Sequence, residues 1–495
     1  MRKTWMAAAA VIAMSAALLP AVAGAQDAKT VIANASKAMG ADGLNSIVLN
    51  GSGANYGLGQ SNNANGEWPR TNLNDYVRAI DFASSTARAT AVTWAAPVTG
   101  PVAVQGQFQQ NITAAQANAW AQQLEIWTTP WGFLKGAAVN NATARAQTVG
   151  GQRYQVVTWM TTQKSAGGPA YRVVGYISPR GMVDRVETWL GDPVFGDMLV
   201  EQIYTEYRDA YGVMYPAKWV QKRGGQPTFE LQTLGIRANP DNLQALLTPP
   251  PPPAGRGGGP GGPGGPGGAA PGPTSEKLAD GVWRINGAYN GLAVEFADHI
   301  LIFEPGPQNE ARSQAIIAEA KKVIPNKPVR YGVISHHHFD HTGGIANVVA
   351  EGITIVTPAV NKAFLERALS APRTLVGDAL AKNPKKPIVE GFTGDKRVFQ
   401  DATRTFEVHV IKGLPHADGL VVGYLPKEKI LVYADMFNLP PAATPVPNPP
   451  VVGTMVFSDN IARLGLTPDR IMSVHSLNPD RLTTVAELNA SLGRK

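Results

Sequence analysis

From residue 153 to residue 219 the chain runs in short stretches of β-branched and aromatic side chains with partial alternation of apolar and polar positions, over residues 153–160, 171–177, 183–190 and 201–208. Gly-Gly, Pro-Arg-Gly and Gly-Asp-Pro separate them, and a two-residue period broken by such turns predicts antiparallel strands. Beyond residue 273 the pattern changes. Residues 300–303 and 331–335 are apolar-rich runs of strand length, and within residues 309–324 Ile316, Ala320 and Ile324 recur at helical spacing. Further strand-like runs cover residues 405–411, 430–434 and 471–474. The expected fold class is α+β, with a mainly antiparallel β N-terminal domain followed by a domain in which strands alternate with helices.

Between the two lies a segment of another character. Residues 249–273 hold ten Pro and eleven Gly in 25 positions, a composition that buries no core and removes most regular backbone hydrogen bonding. It reads as a linker able to reach about 80 Å when extended, so the flanking domains, residues 26–248 and 274–495, are expected to move independently. It also divides the chemistry: all eight His follow it, whereas eight of the ten Trp fall between Trp68 and Trp219. The first domain therefore offers no His to a metal or to a Ser-His couple. Residues 1–25 read as a removable signal peptide, with Arg2 and Lys3, an apolar run over residues 7–19, and Ala23-Gly24-Ala25 at its end. That run is shorter than the ~20 residues a membrane span needs. The mature chain is expected to be exported, periplasmic in a cell with two membranes, and not stably inserted in a membrane.

Composition then narrows the chemistry. The 495 residues, 44% hydrophobic and 16% charged, suffice for two or three packed cores. There is no Cys, which excludes disulfides, thiolate metal ligands and cysteine nucleophiles. Any metal must be held by His, Asp or Glu. The net charge of +7 includes Arg2 and Lys3 and is gathered into no Lys/Arg run, which argues against a nucleic-acid partner.

Directly after residues 331–335 comes Ser335-His-His-His-Phe-Asp-His-Thr-Gly-Gly344. In an extended turn alternate side chains share a side, so His336 and His338 can reach one metal while His337 faces away. Asp340 and His341 fall where the chain turns into a helix expected to begin near Gly343, within reach of a second metal. Further on, His416 in Gly413-Leu-Pro-His-Ala-Asp-Gly419 follows one strand-like run, and Asp435 and His475 each end another. These are polar groups at strand ends, where loops converge on one face.

This H-x-H-x-D-H pattern, with its three downstream partners in order, resembles the signature of the metallo-β-lactamase superfamily over residues 276–495. The resemblance implies a C-terminal αββα sandwich in which His336, His338 and His416 bind one zinc, Asp340, His341 and His475 bind the other, and Asp435 bridges them. Two Zn2+ are the implied cofactors, and Fe or Mn can occupy the same shell of N and O ligands. Two positions depart from the family: Ala434 stands where Gly is common before the bridging Asp, and Glu304, in Phe303-Glu-Pro-Gly306, stands where Asp is frequent. His299 and His409 read as hydrogen-bonded residues within strands, and His337 as a residue behind the ligands or at the surface. In the first domain, residues 204–219 are similar to the strand, turn and Pro-bearing strand of periplasmic lipoprotein-carrier-like half-barrels, which implies a curved sheet that could cup an apolar ligand. The plainer reading of the same Trp and Tyr residues is core packing.

The function implied is hydrolysis of an ester, lactone, thioester or related bond in a small-molecule substrate that the sequence does not name, with a metal-bridging hydroxide as nucleophile and Asp340 orienting it. An apolar substrate delivered by the first domain is one version of this reading. Asp418, Lys412 and Asn438 lie near ligands in sequence and are candidates for substrate binding or for plain surface roles, and the Pro-rich residues 439–450 are placed to rim the metals. A bridging carboxylate and the lack of Cys make β-lactamase activity the lesser alternative. The alternative from another class is a hydrophobic-ligand carrier or sensor whose metal domain is secondary.

Overall fold

The computed structural model describes residues 27–95, 104–250, 274–440 and 445–494. The expected signal peptide and nearly all of the linker lie outside the described residues.

The first domain is one antiparallel sheet of eleven strands: β1 (Ser46–Tyr56), β2 (Arg70–Asp81), β3 (Thr86–Ala95), β4 (Val104–Ile112), β5 (Thr143–Val149), β6 (Gln152–Lys164), β7 (Ala170–Ile177), β8 (Val183–Asp192), β9 (Gly196–Ala210), β10 (Val213–Arg223) and β11 (Gln226–Ala238). Their order in the sheet is β4-β3-β2-β1-β11-β10-β9-β8-β7-β6-β5. The four runs legible by alternation are β6 to β9, and β9 turns into β10 at Tyr211-Gly212, both with positive φ. Helices α1 (Ala28–Ala38), α2 (Trp120–Trp127) and α3 (Pro130–Val139) share a core with the sheet, and α4 (Leu243–Leu247) closes the domain. Trp120, Trp131, Phe133, Trp159, Tyr204 and Trp219 are all buried in that core. The rings pack closely, Trp120 edge-on to Trp159 at 6.0 Å between centroids and Trp219 edge-on to Phe229 at 5.7 Å, and a cavity of about 350 Å³ opens beside Trp120, Trp127 and Trp159. A cavity of about 240 Å³ at one end is polar, lined by Arg78, Glu125 and Arg223 among others.

The second domain has two sheets. The first, in chain order, joins β12 (Thr274–Ala279), β13 (Val282–Asn286), β14 (Gly291–Glu295), β15 (Ile300–Phe303), β16 (Val329–Val333), β17 (Thr354–Pro358) and β18 (Val389–Phe392). It is antiparallel up to β15 and parallel from β15 to β18. The second joins β19 (Lys396–Gln400), β20 (Thr405–Val410), β21 (Val421–Leu425), β22 (Ile430–Tyr433) and β23 (Arg470–Ser473), with β22 and β23 parallel. The unbroken apolar runs are explained by burial on both faces. In β15, Leu301 and Phe303 face a core shared with the second sheet, while Ile300 and Ile302 face α5 (Glu310–Val323), α7 (Ile345–Ala350) and α8 (Ala359–Leu369). In β22, Ile430 and Val432 join the core between the sheets, while Leu431 and Tyr433 pack with Phe457 and Ile461 of α10 (Val452–Arg463) and Leu488 of α11 (Val485–Ala490). Two short helices remain, α6 (Phe339–Thr342) and α9 (Ala379–Lys382). No helix among the described residues is long and apolar enough to cross a membrane.

The linker's composition led to an expectation of independently moving domains, but the two are packed against each other through loops far from it in sequence. Phe195, between β8 and β9, sits edge-on to Phe339 at 5.2 Å and to Phe364 at 5.9 Å. Arg373 of the second domain donates to the Pro193 carbonyl at 2.7 Å while paired with Asp378, and Asp197 accepts from the backbone of Thr374 and Leu375. Ala64 and Val194 of the first domain belong to the core formed by α5, α7 and α8.

Candidate metal centre

The chemistry gathers at the ends of parallel strands, where successive loops leave on the same side. Glu304 directly follows β15, residues 336–341 follow β16, His416 lies between β20 and β21, and Asp435 and His475 each stand two residues beyond the paired strands β22 and β23. The structure brings all seven residues singled out by the sequence into two adjoining groups, His336, His338 and His416 in one and Asp340, His341, Asp435 and His475 in the other. Within each group the candidate ligand atoms lie within 4.8 Å of one another.

The geometry at each ring says which atom faces inward. Nε2 of His336 and Nε2 of His416 are 3.3 Å apart, and Nε2 of His341 and Nε2 of His475 are 3.2 Å apart. Nitrogens bound tetrahedrally at the usual Zn–N distance of ~2.0–2.1 Å are separated by about 3.3 Å. His338 uses its Nε2–H to donate to the Ser61 carbonyl at 2.9 Å, and its buried Nδ1 has no partner. Asp435 directs Oδ2 at His341 (2.9 Å) and His336 (3.7 Å) and Oδ1 at His475 (2.8 Å); Oδ2 is a buried atom without a hydrogen bond. A carboxylate facing both groups, an unpartnered imidazole nitrogen and nitrogens at ligand spacing together fit divalent-metal binding.

The electrostatics of the protein groups point the same way. Burial lowers His336 well below the ordinary imidazole range and pushes His338 down to about 3 and His337 to about 4, so these rings are neutral and keep a free lone pair. Burial would raise Asp435, but His341 and His475 outweigh it and hold the carboxyl far below its usual range. Burial disfavours charge on His341 as well, yet Glu304 and Asp435 raise it strongly. Glu304 is wholly buried; its Oε2 accepts from His341 Nδ1 at 3.0 Å and its Oε1 accepts from the Ser335 backbone N–H. That bond fixes the ring with Nε2 toward the centre. Glu304 and Asp435 both adopt positive φ, +62° and +58°, a strained conformation for non-glycine residues, at the two strand ends that build the site.

One expectation is corrected, the start of the helix. The helix begins at Phe339, four residues before Gly343, so Asp340 and His341 lie in its first turn. His337 belongs to neither ligand group; it is buried and donates to the Ser61 carbonyl at 2.8 Å. Lys412 is exposed and paired with Asp395, and Asn438 is exposed. Asp418 uses its backbone N–H to meet Asn62 of the first domain at 2.6 Å. Of the Pro-rich stretch after Asp435, residues 441–444 lie outside the described residues. His299 and His409 bond to Asp298 and Glu407. The sequence reading missed Tyr289, whose hydroxyl donates to Asp340 Oδ2 at 3.0 Å and whose ring lies 4.4 Å from that of His475, and Gln60, whose amide donates to Asp340 Oδ1 at 3.1 Å.

Two sheets with helices packed against them carry a His/Asp cluster at converging strand ends, an arrangement of donors suited to a divalent metal. Residues 287–489 match the family model of the metallo-beta-lactamase superfamily. Among solved structures the chain is similar to a metallo-beta-lactamase from Pontibacter korlensis (19% identity, 45% of this chain and 97% of that one, TM-score 0.33). It is also similar to those from Hirschia baltica (18%, 45% and 96%, 0.33) and Erythrobacter litoralis (18%, 46% and 96%, 0.34). No curated protein matches the chain.

Proposed function

We propose that the protein is an exported dinuclear-metal hydrolase acting on an ester, lactone, thioester or related bond of a small molecule. The observation that carries this reading is the carboxylate of Asp435 set between two complete groups of ligand atoms. His336, His338 and His416 would hold one cation and Asp340, His341 and His475 the other, with Asp435 shared. When bound, divalent cations acidify water toward neutral pH and polarise the electrophile. Zinc suits the all-N/O donor set and the 3.2–3.3 Å spacing of ring nitrogens.

The protein's own groups then position the reaction. Asp340 is fixed from both sides, by Gln60 on Oδ1 and Tyr289 on Oδ2, and so can orient a water between the groups. Tyr289 keeps its proton, since burial and the adjacent Asp340 raise its pKa strongly. His416 and His475 are the more open of the ring ligands, which puts substrate entry on their side. The finer fold reading, an αββα sandwich, is supported by the three separate cores that the two sheets and their flanking helices share. Export is supported by the character of residues 1–25 alone.

The test is turnover by the zinc-loaded full chain of a panel holding a lactone, a thioester, an aryl ester, a phosphodiester, a sulfate ester and a β-lactam, with His416→Ala as control. Turnover of a carboxylic ester, lactone or thioester, lost in the control, is the expected result. Turnover of the β-lactam alone would replace the bond assignment, and turnover that survives in the control would remove the metal centre from the mechanism.

A further inference from the structure

The first domain carries no His and was expected to stand apart, yet its loop between β1 and β2 reaches into the centre of the second. Four residues, Gly59 to Asn62, define the reach. The Ser61 carbonyl accepts from Nε2 of both His337 and His338, at 2.8 and 2.9 Å. A carbonyl oxygen has no proton to give, so both rings carry hydrogen on Nε2, and a neutral His338 then has its lone pair on Nδ1. Of the two rings, only His338 lies in a ligand group, and its Nδ1 is buried without a partner. Next, the Gln60 amide bonds Asp340 Oδ1. The Asn62 side chain donates to the Pro415 carbonyl at 3.0 Å, and the Asn62 carbonyl accepts from Asp418 N–H at 2.6 Å, on either side of His416. Finally, Gly59 has φ +74° and packs on the ring of Phe339, where a Cβ would stand 2.2 Å from the ring, and its carbonyl accepts from Phe339 N–H. Only glycine permits that approach.

We infer that residues 59–62 of the first domain are part of the metal centre, with Gln60 and the Ser61 carbonyl as positioning groups: the carbonyl locks His338 with Nδ1 toward His336 and His416, the amide holds Asp340 at the other group, and Asn62 clips the His416 loop to the 336–341 turn. This rests on the dinuclear-metal reading above. The first domain is then neither a separate carrier nor a tethered delivery module. It supplies from a distant part of the chain the hydrogen bonds that metal-binding His residues need at their other ring nitrogen, partners whose loss typically costs ~10–100-fold in metal affinity.

Two full-length variants test it. Gln60→Ala leaves the backbone of the loop in place and is expected to weaken binding of one zinc equivalent about tenfold in chelator competition, with the thermal unfolding midpoint unchanged. Gly59→Val cannot keep its contact with Phe339, lifts the loop, and is expected to weaken the other equivalent by about 10–100-fold. A readout that bulk stability does not move is the 15N spectrum of histidine-labelled, zinc-loaded protein, in which wild type should show His338 as the Nε2–H tautomer with a slowly exchanging proton, and Gly59→Val should lose that protection. An Nδ1–H tautomer at His338 in wild type, or wild-type zinc affinities in Gln60→Ala, would overturn the inference while leaving the metal centre intact. Wild type that binds no zinc would overturn both. Should Gly59→Val fail to fold, the wild-type tautomer and the Gln60→Ala affinities still decide.

Discussion

The residues of the centre divide into those whose chemistry announces them and those known only by position. His336, His338, Asp340, His341, His416, Asp435 and His475 are side chains with few other reasons to recur at such spacing, and the sequence could be read for them. Glu304 was visible only as a departure, yet it is the buried acceptor that orients His341. Replacing it leaves the Ser335 N–H without an acceptor in a dry interior, at a cost of about 1–3 kcal/mol for an unsatisfied buried group, and leaves His341 Nδ1 only the Ser335 hydroxyl at 3.3 Å. Glu304→Ala is therefore expected to lower the denaturation midpoint and weaken zinc binding by about 10–100-fold, measured by urea titration and chelator competition; a variant with unchanged zinc affinity would separate Glu304 from the centre. Tyr289, Gln60 and Ser61 were not legible, because a tyrosine hydroxyl, an amide and a backbone carbonyl are common everywhere and act here across 51, 280 and 277 positions of chain.

Among the elements, buried strands were the easiest to place, because runs such as residues 300–303 are apolar on both faces. Helix starts were harder. Gly343 and Gly344 read as the beginning of a helix, but they are the joint between α6 and α7, and they are small because the backbone of Gln308 and Asn309 passes close, 2.1 and 2.5 Å from where a Cβ would sit. The loops that dock the domains have no periodic pattern at all, so nothing in residues 57–69 or 193–195 announced a partner. Phe195 makes the aromatic part of that docking, against Phe339 and Phe364. Phe195→Ala is expected to lose about 1–2 kcal/mol of stability from the partly buried ring, seen as a lower urea midpoint. An unchanged midpoint would mean that the two domains are not held by this contact in solution.

At the scale of the whole molecule, composition set apart the Pro/Gly segment between the two regions but was silent on their contact. A Pro/Gly segment reports only on itself, and docking is decided by complementary loops far from it in sequence. The eleven-stranded sheet buries its aromatic residues in its own core and presents three loops, residues 57–69, 165–169 and 193–195, to the second domain. The molecule is thus organised around one centre to which both domains contribute. The measurement that bears on this most directly is the metal content of the full-length chain after zinc loading and exhaustive dialysis, set against His416→Ala and Asp435→Asn. The account predicts two equivalents of zinc in wild type and a loss of at least one in each variant; wild type holding none, or variants holding as much as wild type, would contradict it.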